Sequence, residues 1–335
     1  MTNCVDFQPI CAYFKLGRLD AVSILKGGRS HHTYLLVTNR GKFVIKQLIS
    51  CQDKPLACDL FRNTTAIAHL FSQNGIAAVT PLVKNNDVIC TYANTHYMVY
   101  PHVEAVMLPY SSYTVEHCHH IGKLLAVMHN LNINFPAAAP RWEFCYHAED
   151  WQHAYNYFIE RQIGIIATRL KKMESLIKHC FIRYDALLTE MVIDDVVSHR
   201  DIDATNLLWY SPINCTLIDW DLAGKVDAAV ELMYVALGFS IERKGIFSAE
   251  RFATMLNAYA AERTLKTKNG EVLLYATLCN WLTWCQKQMR KVVVGQNSLA
   301  ELNEIIVNVR HSLDTLEYVL SLHDKLIMTF EHVLG

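Results

Sequence analysis

The feature that most constrains how this chain can fold is residues 198–224, SHRDIDATNLLWYSPINCTLIDWDLAG, in which polar side chains stand before and after two short apolar stretches. The apolar stretches are 207–209 and 215–218, and the turn-forming residues SPIN separate them. Short apolar runs joined by turn residues are typical of a β-hairpin. The segment therefore predicts a hairpin that places Asp219 at the end of its second strand.

Three side chains around this hairpin carry oxygen ligands of the kind that Mg²⁺ prefers, namely Asp201, Asn206 and Asp219. Asn206 follows Asp201 by five residues, which lets a metal ligand approach a cation while the aspartate stays beside an attacking hydroxyl. The alternative is that acids beside apolar strands only solubilise loop ends. We prefer this alternative for Asp203 or Asp221 alone, but not for His199, Asp201, Asn206 and Asp219 together.

The order His199-Arg200-Asp201, with Asn206 further on, matches the pattern H-R-D-x-x-x-x-N, and residues 218–221 read Ile-Asp-Trp-Asp. The segment resembles the aminoglycoside phosphotransferase and choline kinase-like superfamily, small-molecule kinases with a protein-kinase-like fold. The resemblance implies that Asp201 receives the proton of the acceptor hydroxyl and that Asn206 and Asp219 bind Mg²⁺. It also implies that His199 and Arg200 brace the loop.

An ordinary protein kinase is less similar. Asp219-Trp220-Asp221 stands where protein kinases have Asp-Phe-Gly, and an Ala-Pro-Glu motif would close an activation segment. Only about nine positions separate Asp221 from the apolar helix predicted near Val230, which is too few for such a segment. Phosphorylation of proteins is therefore disfavoured.

The N-terminal part predicts phosphate contacts. Strands predicted at 21–25 and 33–38 flank a turn that contains Gly27, Gly28 and Ser30, and the backbone N–H groups of such a turn can approach phosphate oxygens. The full G-x-G-x-x-G is absent, so an ordinary turn is the alternative. The strand predicted at 42–48 contains Val-Ile-Lys, which resembles V-A-I-K and implies that Lys46 contacts the phosphates.

The helix predicted at 56–74 would supply a glutamate that orients the lysine in the related kinases. No Glu occurs between Lys46 and Glu104, so the partner of Lys46 is either Asp59 or absent. Tyr100 and His102 lie in a segment that resembles the linker on which the adenine ring rests, with an ordinary Pro-containing loop as the alternative.

The rest of the chain reads as helical. Periodic apolar residues predict helices at 114–130, 148–160, 163–179, 228–240, 249–262, 272–290 and 299–320. Glu231 stands where the related kinases have an acid that holds the catalytic loop. Asp150 and its neighbours could meet a cationic acceptor, although a solvated helix face is the preferred explanation.

Composition excludes several classes of function. The chain has 335 residues, of which 52% are hydrophobic and 19% charged, and its net charge is −1, which argues against nucleic acid or an anionic membrane as a main partner. Eleven cysteines without a C-x-x-C pair indicate reduced thiols. No basic and apolar leader begins the sequence. We expect a soluble, cytoplasmic protein of open oligomeric state.

The strand and helix patterns predict an α+β chain, and the resemblance implies a bilobal protein-kinase-like fold for it. Residues 1–100 should form a small antiparallel sheet lobe with one main helix, and residues 101–335 a larger, mostly helical lobe. The expected function is ATP- and Mg²⁺-dependent phosphorylation of a hydroxyl on a small molecule, such as an aminoglycoside-like antibiotic, choline or homoserine. GTP is not excluded as the donor, and a pseudokinase-like module that only binds nucleotide is the alternative.

Overall fold

The computed structural model describes residues 6–25, 31–49, 55–144, 146–161, 163–241, 246–294 and 298–334. The chain divides into two compact units. The first contains residues 1–120, 128–140 and 196–225, and the second contains 121–127, 141–195 and 226–335. This division differs from a single boundary after residue 100, because the chain returns to the first unit with the segment that carries the hairpin.

The first unit begins with helix α1 (Gln8–Phe14) and strands β1 (Leu19–Leu25), β2 (His32–Thr38) and β3 (Gly41–Gln47). Helix α2 (Pro55–Gln73) and strands β4 (Cys90–Tyr92) and β5 (Thr95–Pro101) follow. The five strands form one antiparallel sheet in the order β1-β2-β3-β5-β4. The predicted sheet and its one long helix are therefore present.

The alternation of side chains along β3 decides where Lys46 lies. Ile45 is fully buried in a cluster with α1, while Leu48 packs in a second cluster with Cys58 and Phe61 of α2. Successive residues of a strand point to opposite faces of the sheet. Lys46, which pairs with Met98 of β5 in the second cluster, is therefore on the α2 face.

Strands β6 (Val106–Met107), β8 (Leu207–Ser211) and β9 (Asn214–Leu217) form a second sheet of the first unit, in the order β6-β8-β9. The β8–β9 pair is the predicted hairpin, and Trp209 donates from its indole N–H to the Tyr113 hydroxyl at 3.0 Å. Near Val79 the described chain adds an isolated bridge between Ala78 and Leu217 at the edge of this sheet.

The remaining elements are two short strands and eight helices of the described ranges. The strands are β7 (Asp195–Ser198) and β10 (Gly224–Asp227). The helices are α3 (Val115–Asn130), α4 (Ala148–Glu160), α5 (Gly164–Leu187), α6 (Ala228–Ser240), α7 (Ala249–Ala260), α8 (Gly270–Val294), α9 (Leu299–Ser321) and α10 (His323–Leu334). The short helices α1 and α10 were not predicted.

Two contacts fix helix α3 at its start and against a neighbouring helix. Thr114 caps α3 by accepting a hydrogen bond from the backbone N–H of His117, and the His117 ring bonds back to Thr114, so this histidine has a structural partner. Gly122 lies against the main chain of α7, where a Cβ atom would stand 2.3 Å from the Met255 carbonyl oxygen. The glycine therefore permits a close helix contact.

The antiparallel N-terminal sheet and the long helical remainder confirm the predicted α+β class. Within the described ranges, no helix combines the length and the apolar character needed to cross a membrane.

Candidate active site

The loop between β7 and β8 is tied to the end of β9 by His199. This residue is fully buried, and its Nε2–H donates to the Ile218 carbonyl at 2.9 Å. Its Nδ1 accepts from the backbone N–H of Asp201 at 3.3 Å, and its ring packs 4.6 Å from that of Trp220. These two hydrogen bonds select the Nε2-protonated neutral tautomer. The histidine thus connects the backbone of Asp201 to the residue before Asp219.

Arg200 connects the same loop to another segment of the first unit. Its Nη1 donates to the carbonyl oxygens of Pro140 at 3.0 Å and Ala139 at 3.4 Å. Arg200 has φ +67°, a left-handed conformation that is uncommon outside glycine. Gly224 leaves room for the guanidinium, because a Cβ there would lie 2.5 Å from Nη1. The loop is therefore held in one conformation by buried polar contacts.

Asp201 and Asn206 face each other across this loop. The Asn206 Nδ2 donates to the Asp201 carbonyl oxygen at 2.8 Å and to its Oδ2 at 3.0 Å. The backbone N–H of Ile218 donates to the Asn206 carbonyl at 3.0 Å. Between Asp201 and Asn206, the Asp203 carboxylate accepts from the backbone N–H of Thr205 at 2.7 Å and closes a turn. The loop with Asp201 and Asn206 is therefore held at the end of β9, immediately before Asp219.

Asp219 has φ +61° and precedes a 3-10 turn, Trp220–Leu222. The Lys46 Nζ lies 2.7 Å from the Asp219 Oδ1 and 2.6 Å from the Asp221 Oδ2. Trp220, between the two acids, is buried and packs its ring 5.3 Å from that of Phe71 on α2. The turn thus directs both carboxylates to one lysine.

The charges of this group depend on one another. Burial disfavours the charge on Lys46, but the carboxylates of Asp221 and Asp219 more than offset it, so the pKa of Lys46 is raised. Burial opposes the charge on Asp219 as well, yet the nearby ammonium lowers the pKa of this carboxyl. The pKa of Asp221 is raised by burial and, despite Lys46, by the second negative charge on Asp219. At neutral pH Lys46 is therefore cationic.

His31 completes the surroundings of Asp221. It is buried, its Nδ1 accepts from the Ile49 N–H at 3.3 Å, and its Nε2 lies 3.7 Å from the Asp221 Oδ2. Burial, followed by the charge on Lys46, lowers the pKa of His31 to about 4. The imidazole is therefore neutral at pH 7.

Lys46 has neither of the two outcomes left open by the sequence, a pairing with Asp59 or no partner. The Asp59 carboxylate accepts from Arg62 at 3.0 Å on the exposed side of α2, while Lys46 contacts Asp219 and Asp221. Sequence reasoning also treated Asp221 as a loop-end acid and did not single out His31. The acid that closes the Ile-Asp-Trp-acid motif was the available signal for Asp221.

The other predicted binding residues have different outcomes. Gly27, Gly28 and Ser30 lie outside the described residues. Tyr100 lines a small cavity with Thr64, Thr65, Ala68, Val79, Pro81, Trp220 and Asp221, and its role towards a nucleotide stays a prediction. The His102 N–H donates to the Lys42 carbonyl at 3.2 Å, and the role of His102 towards a nucleotide stays a prediction.

Two residues of the second unit complete the predicted set. Glu231 is buried in the first turn of α6, whose N-cap is Asp227, and its role in holding the loop stays a prediction. Asp150 accepts from the Gln286 side chain at 2.9 Å and pairs with Arg290. These partners favour a structural role for Asp150 over contact with a cationic acceptor.

The donor set fits the Mg²⁺ that a kinase-like fold implies. Asn206 uses its amide nitrogen on Asp201, so its Oδ1 is the atom that suits a hard cation. The Asp219 side chain is 45% exposed, and its carboxylate follows Ile218, whose backbone N–H donates to the Asn206 carbonyl. A carboxylate and a carboxamide oxygen are ligands that Mg²⁺ prefers.

Comparison with known proteins gives consistent results. The signature of the phosphotransferase enzyme family, APH, matches residues 21–265. The chain is 22% identical over 273 residues to a homoserine kinase of Sinorhizobium medicae (strain WSM419), covering 78% of this chain and 76% of the relative.

Two solved structures are similar in fold. Spectinomycin phosphotransferase APH(9)-Ia, solved with ADP and spectinomycin, has a TM-score of 0.69 at 13% identity, with 94% of this chain and 98% of that chain covered. Choline kinase LicA from Streptococcus pneumoniae has a TM-score of 0.59 at 15% identity, with 93% and 97% covered. The fold is therefore kinase-like, as predicted.

Proposed function

From the premise that this chain belongs to the phosphotransferase enzyme family and is a small-molecule kinase, we propose that it transfers the terminal phosphoryl group of ATP to a hydroxyl of a small molecule. The observation that carries the proposal is the joining of the Asp201 loop to the Asp219 turn by hydrogen bonds at Ile218. The proposal is supported further by Lys46, Asp201, Asn206 and Asp219 belonging to one unit of the chain, with Lys46 2.7 Å from Asp219.

In the proposed reaction the acceptor oxygen forms a bond to the γ-phosphorus while the bond to the β,γ-bridging oxygen breaks and ADP leaves. Asp201 orients the acceptor hydroxyl and receives its proton. Lys46 offers a positive charge to the phosphates. Asp219 and Asn206 would hold Mg²⁺, which supplies charge neutralisation. His199 and Arg200 keep Asp201 in place, which matters because phosphoryl transfer depends mainly on positioning and electrostatics.

The acceptor is proposed as a hydroxylated small molecule that also carries a nitrogen group. Homoserine, choline and spectinomycin, which name the related proteins, all combine these two groups. The chain spans about three quarters or more of each of those proteins. The assay described below compares GTP with ATP as the phosphoryl donor and distinguishes among the acceptors.

A cytoplasmic location is part of the same proposal. The support is that ATP is an intracellular substrate and that the cysteines of the described ranges are free and buried: Cys11, Cys58, Cys90, Cys118, Cys180, Cys215, Cys279 and Cys285.

The test is an ADP-release assay over homoserine, choline, ethanolamine, spectinomycin and several aminoglycosides, with Mg-ATP and Mg-GTP in parallel. We expect acceptor-dependent release, and we expect Asp201→Asn and Asp219→Asn to remove it, at a loss of at least about 10²-fold in kcat. Asp59→Asn is the matched control, because this exposed carboxylate pairs with Arg62 and should leave turnover unchanged. Full turnover in the Asp201 variant would contradict the proposal.

The alternative function is nucleotide binding without transfer, which is motivated by the absence of a glutamate on α2 and by the incomplete glycine motif. It predicts that Mg-ATP stabilises the protein while no member of the acceptor panel causes ADP release. Acceptor-dependent release above the rate of ATP hydrolysis excludes it.

A further inference from the structure

The lysine of the candidate site receives its two carboxylate partners from the turn after β9. Only 11% of the Lys46 side chain is exposed, and a buried ammonium is costly unless it is paired. Asp219 and Asp221 lie 2.7 and 2.6 Å from Nζ. One of these acids, Asp219, is also a candidate metal ligand. A bound cation would share its carboxylate and leave Asp221 as the partner that belongs to Lys46.

Helix α2 contributes no acid to this place. The α2 residues that line the cavity beside Asp221 are Thr64, Thr65 and Ala68, and Asp59 pairs with Arg62 instead. The helix instead holds the turn by packing, since Phe71 of α2 lies against Trp220. The Trp220 ring thus packs on α2, while the acids before and after it in sequence both reach Lys46.

The surroundings of Asp221 suit a fixed partner. Its side chain is 24% exposed, about half as much as that of Asp219. His31 also lies near this carboxylate, with Nε2 3.7 Å from the Asp221 Oδ2, and its ring packs 5.3 Å from that of Phe61 on α2. Asp221 therefore has both a lysine and a histidine beside it, whereas the Asp219 side chain is more exposed and open to another ligand.

We propose that Asp221 is the positioning residue of Lys46 and takes the place of a carboxylate from α2. The inference rests on the proposed function, in which Lys46 contacts the phosphates. Asp221 then acts through the lysine and is not required as a ligand of the metal. Helix α2 has no glutamate that could pair with Lys46. Asp221, two residues after the candidate metal ligand Asp219, compensates for this absence.

The first test is a double-mutant cycle on unfolding, without nucleotide or metal, using Lys46→Met, Asp221→Asn and the double variant. We expect coupling of about tenfold or more in the unfolding equilibrium constant, as for other residues in direct contact. The matched cycle of Lys46→Met with Asp59→Asn should be additive, because Asp59 pairs with Arg62. Additivity in the Asp221 cycle overturns the inference. This result does not depend on phosphoryl transfer.

The second test separates a lysine partner from a metal ligand. Asp221→Asn should lower kcat by about tenfold or more, while the Mg²⁺ concentration for half-maximal rate stays within about twofold of the native protein's. Asp219→Asn should instead raise the Mg²⁺ requirement of any residual activity or of nucleotide binding. Asp221→Glu, which keeps the charge, should retain more kcat than Asp221→Asn. A tenfold rise in the Mg²⁺ requirement of Asp221→Asn makes it a metal ligand and overturns the inference.

The two tests distinguish the inference from the proposed function. If the native protein releases no ADP with any acceptor, the proposed function fails while the unfolding cycle still decides whether Asp221 holds Lys46. If the native protein is active and the cycle is additive, the inference alone fails.

Discussion

Lys46 keeps a positive charge although only a small part of its side chain meets water, because two carboxylates from a single turn contact it. Lys46, Asp201, Asn206 and Asp219 could be selected from motif spacing alone, since each stands at a recognisable position. Asp221 and His31 could not be assigned a partner in this way. Their significance depends on contacts between residues that are far apart in the chain, because Asp221 lies 175 positions after Lys46 and 190 positions after His31.

The neutral state of His31 predicts a pH dependence of stability. Its pKa is about 4 in the folded chain, first because of burial and then because of Lys46, against about 6.5 when unfolded. Between these values the unfolded chain binds more protons, so stability increases as pH rises from about 4 to 6.5. The group accounts for a loss of up to about 3 kcal/mol on acidification through this window.

Denaturant unfolding of the native protein and His31→Gln between pH 4 and 7 measures this effect. The variant should show a shallower loss of stability below pH 6.5, whereas replacing the exposed His153 in the same way should leave the slope unchanged. Parallel curves for the native protein and His31→Gln would contradict the assignment of a neutral buried histidine.

At the scale of elements, local patterns account for most helices and strands. Helix α6 occupies the predicted residues, and the β8–β9 hairpin follows the apolar-turn-apolar reading. Around Val79 the chain forms an isolated bridge and not a longer strand, and Pro81, which has no backbone N–H to donate to a ladder, follows two residues later. Helices α1 and α10 were missed because short helices gain most of their stability from tertiary packing rather than from propensity.

The close contact between Gly224 and Arg200, which holds the Asp201 loop, predicts that a substitution of Gly224 lowers kcat. A Cβ at this position would meet Arg200 Nη1 at 2.5 Å and the Ala139 carbonyl oxygen at 2.9 Å. Gly224→Ala should displace the Asp201 loop and lower kcat by about 10²-fold, because misplacement of about 1 Å has such an effect. The KM for the nucleotide should change less, since Lys46 is not touched. Gly238→Ala, where a Cβ meets nothing within 4 Å, is the control in steady-state kinetics.

Gly122 predicts an effect on stability instead. The Met255 carbonyl oxygen would be 2.3 Å from an added Cβ, and main chain cannot yield as a flexible side chain does. We expect Gly122→Ala to lower the free energy of unfolding by about 1–3 kcal/mol through overpacking. Denaturant titration checks this value. Gly238→Ala, which adds a methyl group in open space within α6, should be neutral or slightly stabilising.

At the scale of the whole molecule, the segment with Asp201 and Asp219 belongs to the unit that contains the N-terminal sheet, although about 100 residues of mostly helical chain intervene. A nucleotide that contacts Lys46 and the Asp219 turn would therefore bind only when segments far apart in sequence are assembled. Ligands that bind the folded state alone stabilise it by mass action.

Mg-ATP at about 100 times its dissociation constant should stabilise the native protein by about 2.7 kcal/mol. Thermal unfolding with ATP and Mg²⁺, and again with ATP and EDTA, measures the metal-dependent part. Asp219→Asn should lose most of that part, whereas Asp59→Asn should keep it. An equal shift with and without Mg²⁺ in the native protein would contradict the assignment of Asn206 and Asp219 as metal ligands.

The sequence alone determined the α+β class, the hairpin at 207–218, the helical C-terminal part and the residues that a kinase-like motif selects, because periodicity, turn residues and spacing act over short distances along the chain. The tertiary structure decided which acids pair with Lys46 and which carbonyl oxygens accept hydrogen bonds from Arg200. It also decided that burial keeps His31 neutral at pH 7. Those outcomes depend on burial and on contacts between segments that are distant in sequence, and a local sequence pattern specifies neither the burial nor the contacts.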